Sequence, residues 1–115
     1  MKIILKFLSC IVMLCCAMVF VQAEKIDDLT ITSYVTDYAD MIDATTKSSL
    51  EQKLYQFAQE TSHQLLVVTV NDLDGDYIEH YSIKLAEKAK AGTTKYDNGA
   101  ILLISKNDRQ LRIEV

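Results

Sequence analysis

Residues 95–115, KYDNGAILLISKNDRQLRIEV, decide the fold of this chain. Within this stretch an apolar run, 100–104, follows the turn formers Asp97-Asn98-Gly99. A polar turn at 106–109 then leads into an alternating run at 110–115. Short runs of this kind, bounded by turn formers, are typical of β-strands. The stretch therefore predicts a buried strand, a tight turn and a second strand that returns antiparallel to the first.

The residues before this hairpin supply the rest of a βαβ unit. Asp43 is a suitable N-cap for a helix that runs to about residue 60. The stretch 64–70, QLLVVTV, is typical of a strand covered on both faces. Apolar residues at helical spacing predict a second helix from Asp76 to about residue 91, which would make the strands on either side of it parallel. The predicted fold class is α/β: a mixed β-sheet with a βαβ unit and helices packed on the sheet.

Other parts of the chain have less regular patterns. Residues 24–33 are expected to form a loose leader, and residues 34–40 an extended arm or turn. Four apolar residues of the first helix recur at helical spacing and should be buried. They are Leu50, Leu54, Phe57 and Ala58. Three charged residues lie away from this apolar stripe and should form a solvated face, namely Lys47, Glu51 and Lys53.

The first 23 residues have the composition of a secretory signal peptide. Lys2 and Lys6 precede an apolar stretch, 7–20, and Ala23 is the expected cleavage site. That stretch is shorter than the ~20 residues of a typical membrane span, although an uncleaved anchor is the alternative. We expect export to the periplasm, the cell envelope or the extracellular space.

All cysteines of the chain lie in this signal segment: Cys10, Cys15 and Cys16. A lipidation site at Leu14-Cys15-Cys16 is an open alternative. The mature chain would otherwise have no disulfide, no thiolate metal site and no cysteine nucleophile.

The mature chain is acidic and forms one small domain. The whole chain has 12 basic and 16 acidic residues, and removal of Lys2 and Lys6 leaves 10 and 16, a formal charge of −6. This balance argues against nucleic acid or anionic lipid as a partner and permits a bound cation. The glycines do not form a phosphate-binding loop, so no nucleotide cofactor is expected.

The predicted topology places acidic residues at both ends of the sheet. Asp72, Asp74 and Asp76 follow the first strand of the βαβ unit. Asp97 precedes the second strand, and pairing of Ser105 with Gln110 would bring Glu114 opposite Ile101 at that same end. The two ends are therefore separate candidate sites.

Three carboxylates in five residues, at 72–76, can ligate calcium through oxygen atoms. The loop lacks the EF-hand pattern, because its glycine is fourth and Ile83 stands at the twelfth position. A turn followed by a helix cap is the favoured interpretation, since carboxylates also suit the start of a helix.

The segment Asp97-Asn98-Gly99 also has two interpretations. Gly99 would serve a turn through a positive φ or a close backbone approach. Alternatively, Asp97 would act as a metal ligand or general base. His63 and His80, the two histidines, are interpreted as exposed or capping residues.

Four motifs, taken in order, resemble those of the TPM domain family. Residues 35–42, VTDYADMI, resemble its V-x-D-x-A-x-x-[LI] opening, and residues 64–70 resemble its Q-[IL]-x-V-V-T-V strand. Residues 76–81, DYIEHY, are similar to its I-E-x-Y helix start. YDNG at 96–99 and DRQLRIEV at 108–115 resemble its D-N-G…D-R-x-x-R-I-E-V signature.

This resemblance implies that residues 34–115 are an incomplete TPM-like domain. The family continues after R-I-E-V with further helices and another strand, so we expect a fragment truncated at the C-terminus. Any membrane tether would lie in the missing part.

The resemblance also implies candidate functions. Members of the family occur in the cell envelope, in the thylakoid lumen or outside the cell. They have been linked to acid phosphatase activity, divalent-cation binding and maintenance of membrane protein complexes. We expect an accessory domain that binds envelope membrane proteins, with a cation-assisted acid phosphatase as the alternative and a plain calcium-binding module as a third.

The site residues implied by the resemblance are those that match the family motifs. They are Asp37, Asp97, Asn98, Asp108 and Glu114. Asp97 and Asp37 are the predicted catalytic carboxylates. Together with Glu114 they are also the predicted ligands of calcium or another divalent cation.

Overall fold

The computed structural model describes residues 25–91 and 99–115. These residues form two helices and four strands after a short 3-10 helix. In chain order the elements are the 3-10 helix Ile26–Asp28, β1 (Val35–Asp37), α1 (Ala44–Thr61), β2 (Gln64–Val70), α2 (Ile78–Ala91), β3 (Gly99–Ser105) and β4 (Gln110–Glu114).

The four strands form one mixed sheet in the order β1-β2-β3-β4. β2 is parallel to both of its neighbours, whereas β4 is antiparallel to β3. Ser105 lies opposite Gln110, and Ile101 lies opposite Glu114, as the hairpin predicted. The α/β class, the βαβ unit and the mixed sheet are confirmed.

The boundaries of α1 follow from local capping. Asp43 is the N-cap, and its carboxylate accepts a hydrogen bond of 2.7 Å from the backbone N–H of Thr46. At the other end, Ser62 adopts a left-handed conformation with φ of 62° and donates its N–H to the carbonyl of Ala58. This backbone conformation ends a helix because it turns the chain away from the helix axis.

The main core lies on the face of the sheet that α2 covers, here called the α2 face. Alternate residues of β2 and β3 point to this face, because side chains alternate along a strand. These residues are Leu66, Val68, Val70, Ile101 and Leu103. They pack with Tyr81 and Leu85 of α2, whose side chains are fully buried.

The segment before β1 belongs to this core, which corrects the prediction of a loose leader. Leu29 is only 2% exposed and is part of the core cluster. The Lys88 ammonium on α2 donates to the carbonyls of Ile26 and Asp27, at 2.6 and 3.0 Å. These contacts attach residues 26–29 to α2.

The opposite face of the sheet, here called the α1 face, is only half covered. α1 packs on β1 and β2 and makes no comparable contact with β3 or β4 in the described part of the chain. Leu111 and Ile113 of β4 point to this face and are 66% and 63% exposed. Phe57 of α1 was predicted to be buried but is 37% exposed. Leu65 and Val67 of β2 point to this face and are only half-buried, so β2 is less covered here than the sequence predicted.

Neither helix of the described ranges has the length and apolarity required to cross a bilayer.

Gly99 allows the backbones of β2 and β3 to approach closely at their first pair of residues. It lies opposite Gln64, and a Cβ atom at this position would be 2.6 Å from the Gln64 carbonyl oxygen. Of the two interpretations of this glycine, close backbone approach is the one that the structure supports.

The change Gly99→Ala should therefore destabilise the domain. We expect the free energy of unfolding to fall by about 1–3 kcal/mol, because the added methyl group must displace a paired strand. Urea unfolding followed by circular dichroism measures this. Gly75→Asn is the matched control: Gly75 has φ of 74° and open space around it, and asparagine tolerates this conformation. A loss as large at position 75 as at position 99 would contradict the explanation.

Candidate functional site

Most of the candidate carboxylates lie where the three parallel strands end. Asp37 is the last residue of β1, and residues 72–76 follow β2. Asp108 lies in the turn after β3. The carboxyl ends of parallel strands meet at one edge of a sheet, which is where α/β folds commonly bind ligands.

Asp37 uses its carboxylate to build the loop that follows β1. Its Oδ1 accepts hydrogen bonds from the N–H of Met41, at 3.0 Å, and from the Thr69 hydroxyl. Its Oδ2 accepts from the N–H of Ile42, at 2.9 Å. A carboxylate offers about four acceptor positions, so these bonds leave about one for a ligand. The loop includes Asp40 in a left-handed conformation, with φ of 52°.

The Thr69 side chain connects this loop to the central strand. It is fully buried in β2, directly opposite Asp37. Its oxygen accepts from the N–H of Ala39, at 3.1 Å, while the hydroxyl donates to Asp37. The predicted catalytic role of Asp37 therefore competes with an evident structural role.

These contacts also set the protonation of Asp37. Partial burial alone would raise the pKa of its carboxyl. The hydrogen bonds from Thr69, Met41 and Ile42, together with the nearby charge of Lys47, outweigh burial and hold the pKa below its usual value. The carboxylate is thus ionised at neutral pH.

Asp108 fastens the β3–β4 turn to the loop after β2. Its Oδ2 accepts from the N–H of Leu73, at 3.0 Å, and from the buried Ser105 hydroxyl, at 2.7 Å. Two backbone hydrogen bonds reinforce the junction, from Lys106 N–H to the Val70 carbonyl and from Asn107 N–H to the Asn71 carbonyl. Asp108 is therefore a structural residue of the same edge.

The acidic loop at residues 72–76 has the geometry of a turn. The Asp72 Oδ1 accepts from the N–H of Asp74, at 2.8 Å, and both Asp74 and Gly75 have positive φ. The Asp76 carboxylate accepts from the N–H of Tyr77, at 2.8 Å. These contacts agree with the interpretation of the loop as a turn that precedes a helix.

A pairing that the sequence interpretation missed joins Asp76 to His80. The His80 Nδ1 lies 2.8 Å from Asp76 Oδ2, and the Lys84 ammonium lies 3.9 Å from the same oxygen. Burial acts to raise the pKa of Asp76, but the contacts with His80, Tyr77 and Lys84 lower it overall. The four-residue spacing of Asp76 and His80 at a helix start was the available signal.

This pair borders an open cavity of about 530 Å³. The cavity is also lined by the 3-10 helix and by the start of α2, and both signs of charge occur in it. Its acidic and basic residues are Lys25, Asp27, Asp74, Asp76, His80 and Lys84. His80 remains 57% exposed, so its second ring nitrogen is accessible from solvent.

Glu114 lies apart from all of these groups. Its Oε2 accepts from the buried Ser82 hydroxyl, at 3.2 Å, and from Arg112 Nε, at 3.1 Å. The strand register places Glu114 level with Ile101 on the α2 face, whereas Asp37 is level with Thr69 on the α1 face. The structure does not bring Asp37 and Glu114 together.

Asp97 and Asn98, the first choices from the sequence, lie outside the described residues. Their catalytic or metal-binding role stays a prediction. Within the described ranges, 25–91 and 99–115, no three acidic or histidine side chains converge in a way that would hold a metal ion. His63 is exposed, as expected.

Comparison with known proteins agrees with this fold. The TPM domain family matches residues 35–115, from β1 through β4. The chain belongs to the TPM domain family. A search of curated proteins finds no match.

Among solved structures, the TPM domain of this chain resembles a solution NMR structure of the N-terminal domain of a protein from P. gingivalis. The TM-score is 0.72 at 23% sequence identity, which supports a shared fold. The match covers 82% of this chain but 64% of the other, so this chain spans less than two thirds of that domain.

The pKa of Asp37 leads to a prediction for acid stability. Because the folded-state pKa is depressed, Asp37 stabilises the fold above its unfolded pKa of about 3.9, and this contribution is lost as pH falls through the folded value. Asp37→Asn should lower the free energy of unfolding at pH 7 by about 1–3 kcal/mol, since an amide nitrogen cannot accept the same hydrogen bonds. As the pH falls below about 4, the stability of the variant should also decline less than that of the unchanged chain.

Urea unfolding of both proteins between pH 7 and pH 2 measures the effect. Asp40→Asn is the control, because Asp40 is exposed and asparagine tolerates its left-handed backbone. An unchanged acid profile in Asp37→Asn would exclude this role of the carboxylate.

Proposed function

We propose that this TPM domain is a non-catalytic accessory domain of an exported protein, and that it binds membrane proteins of the cell envelope. The proposal rests on the hydrogen bonds made by the carboxylates that match the family motifs. Asp37, Asp108 and Glu114 each accept hydrogen bonds from groups that build the fold. A structural role of this kind accounts for these three motif residues without a catalytic role. The composition of residues 1–23 supports export.

The α1 face of β3 and β4 offers a surface for such a partner. Leu111 and Ile113 are exposed there, and Leu102 and Ile104 of β3 lie beside them in register. Contiguous exposed apolar side chains are typical of interaction sites. An envelope membrane protein with an exposed apolar patch of its own would complement this surface.

Binding through this face requires no cation. The role proposed for calcium or another divalent cation rests on Asp97, which lies outside the described residues, and Asp37 retains about one free acceptor position. We therefore assign the cation no part in the accessory function.

The double change Leu111→Asp with Ile113→Asp should abolish binding. We expect co-purification of envelope membrane proteins with the tagged, exported chain to fall at least about tenfold, since two charges would be buried at the contact. Quantitative mass spectrometry of the captured proteins measures it. Tyr77→Asp is the control, because Tyr77 is 80% exposed but lies away from this face, before α2. Equal capture by the double variant would contradict the proposed surface.

A phosphatase is the second candidate function. The observation that favours it is the Asp76–His80 pair beside Lys25 and Lys84 in the cavity at the start of α2. An imidazole held by a carboxylate is a possible base, and ammonium groups attract phosphate. The mixed charge of the cavity weakens this candidate, because Asp27 and Asp74 would repel the same phosphate.

The two candidates differ in a phosphatase assay. The accessory function predicts that hydrolysis of p-nitrophenyl phosphate by the chain stays at the rate of buffer alone, with or without calcium. His80→Gln and Asp97→Asn should leave this background rate unchanged. Hydrolysis above background that either change removes would establish the second candidate and refute the non-catalytic assignment.

A further inference from the structure

The loop between β2 and α2 contains the one Asp-Gly pair of the chain, Asp74-Gly75. The backbone N–H of Asp76 donates to the carbonyl of Leu73, at 3.0 Å, and closes a four-residue turn around this pair. Asp74 and Gly75 have φ of 55° and 74°. Positive φ at both central residues is typical of a type I′ turn, for which Asp-Gly is a preferred sequence.

The ends of this turn are held in place, whereas its tip is open. Leu73 is 3% exposed and belongs to the core, and Asp76 contacts His80 at the start of α2. Asp74 and Gly75 are both exposed. A Cβ atom at position 75 would meet no other atom within 4 Å, so the surroundings leave room for the Asp74 carboxyl group to rotate toward the Gly75 nitrogen.

We propose that Asp74 is a modification site, at which the folded chain converts aspartate to isoaspartate. In the first step the Gly75 backbone nitrogen attacks Cγ of the Asp74 carboxyl group. The new N–Cγ bond closes a five-membered succinimide ring, and the carboxyl OH leaves with the N–H proton as water. Glycine favours this attack because it has no side chain beside the nitrogen.

In the second step water opens the ring at one of its two carbonyl carbons. Attack at Cγ breaks the new bond and restores aspartate. Attack at the main-chain carbonyl carbon of Asp74 breaks its bond to the Gly75 nitrogen, so that the main chain runs through Cβ and Cγ. The water lost in the first step is regained, and both products have the mass of the original chain. The isoaspartate presents a free α-carboxylate, the group on which isoaspartyl methyltransferases act.

The other aspartates of the described ranges are less suited to this reaction. Each is followed by a residue with a side chain, which hinders attack by the backbone nitrogen. Five of them also accept hydrogen bonds from backbone N–H groups, which hold the carboxylate in place. They are Asp37, Asp43, Asp72, Asp76 and Asp108.

Isoaspartate at position 74 loosens the start of α2. It adds one atom to the main chain inside the turn, so the bond from Asp76 N–H to the Leu73 carbonyl no longer closes the same ring. The contact of 2.8 Å between Asp76 and His80 depends on the position of this turn. The inference is independent of the proposed accessory function, which uses the α1 face.

Peptide mapping of the folded chain after storage for several weeks tests the proposal. Trypsin releases Asp74 within residues 54–84. We expect a second form of this peptide with unchanged mass and a different retention time, and fragmentation between Cα and Cβ should place the isoaspartate at position 74 rather than at Asp72 or Asp76. Asn98-Gly99 lies in a separate peptide, 96–106, and deamidation there would add mass.

Three variants test the roles of the two residues. Asp74→Glu should abolish the second form, because its ring would have six members. Gly75→Asn keeps a residue that tolerates positive φ but adds a side chain beside the nitrogen, so conversion should fall about tenfold or more. Asp74→Asn should convert faster, because its amide loses ammonia, and its products gain mass. Asp28→Glu, at an exposed position on the 3-10 helix, is the control and should convert as the unchanged chain does.

Amide hydrogen exchange of the isolated isoaspartate form tests the effect on α2. Exchange at residues 77–82 should be faster than in the unmodified chain, whereas exchange in β2 should be the same. Equal exchange at the start of α2 would contradict the assigned effect.

Comparison with the chain unfolded in urea separates the native turn from the dipeptide alone. We expect the folded chain to convert within about tenfold of the unfolded rate, because the tip of the turn is open. Conversion in urea with none in the folded chain overturns the proposal. So does conversion at position 74 that Asp74→Glu retains, or a folded Asp74→Asn variant that stays unconverted.

Discussion

The parallel pairing of β2 with β3 is the constraint on which the other positions depend. The two strands pair over seven residues, from Gln64 opposite Gly99 to Val70 opposite Ser105. At the first pair only a residue without a Cβ atom fits, because the Gln64 carbonyl lies where that atom would be. At the last pair β2 and β3 end at the same level of the sheet. The β3–β4 turn therefore contacts the loop after β2. Asp108 accepts hydrogen bonds across this junction because the register places it there.

The same register explains how three of the motif carboxylates stabilise the fold. Asp37 lies opposite Thr69, and the two side chains fix the loop after β1. Asp108 fixes the next loop along the edge, and Glu114 links β4 to α2 through Ser82. Each carboxylate therefore joins elements that are distant in sequence. Residues 24–115 contain no cysteine, so such contacts stabilise loops that have no covalent link.

The sequence was sufficient to predict the elements that depend on a local pattern of residues. The period of apolar residues predicted both helices, and turn formers around 106–109 predicted the hairpin and the pairing of Ser105 with Gln110. Contacts between distant segments were not predictable in this way. Leu29 lies in a short segment between Asp28 and Thr30 that has no predicted helix or strand, yet it is part of the buried core. The exposure of Phe57 depends on how far α1 extends over the sheet, which a helical pattern does not reveal.

The sequence predicted residues of the candidate site but not their relative positions. Motif resemblance selected Asp37 and Glu114, but only the strand register shows that they lie on opposite faces. The bond between Asp37 and Thr69 spans 32 residues and leaves no local signature. The Asp76–His80 pair is the exception, because a four-residue spacing on a helix can be recognised without a structure.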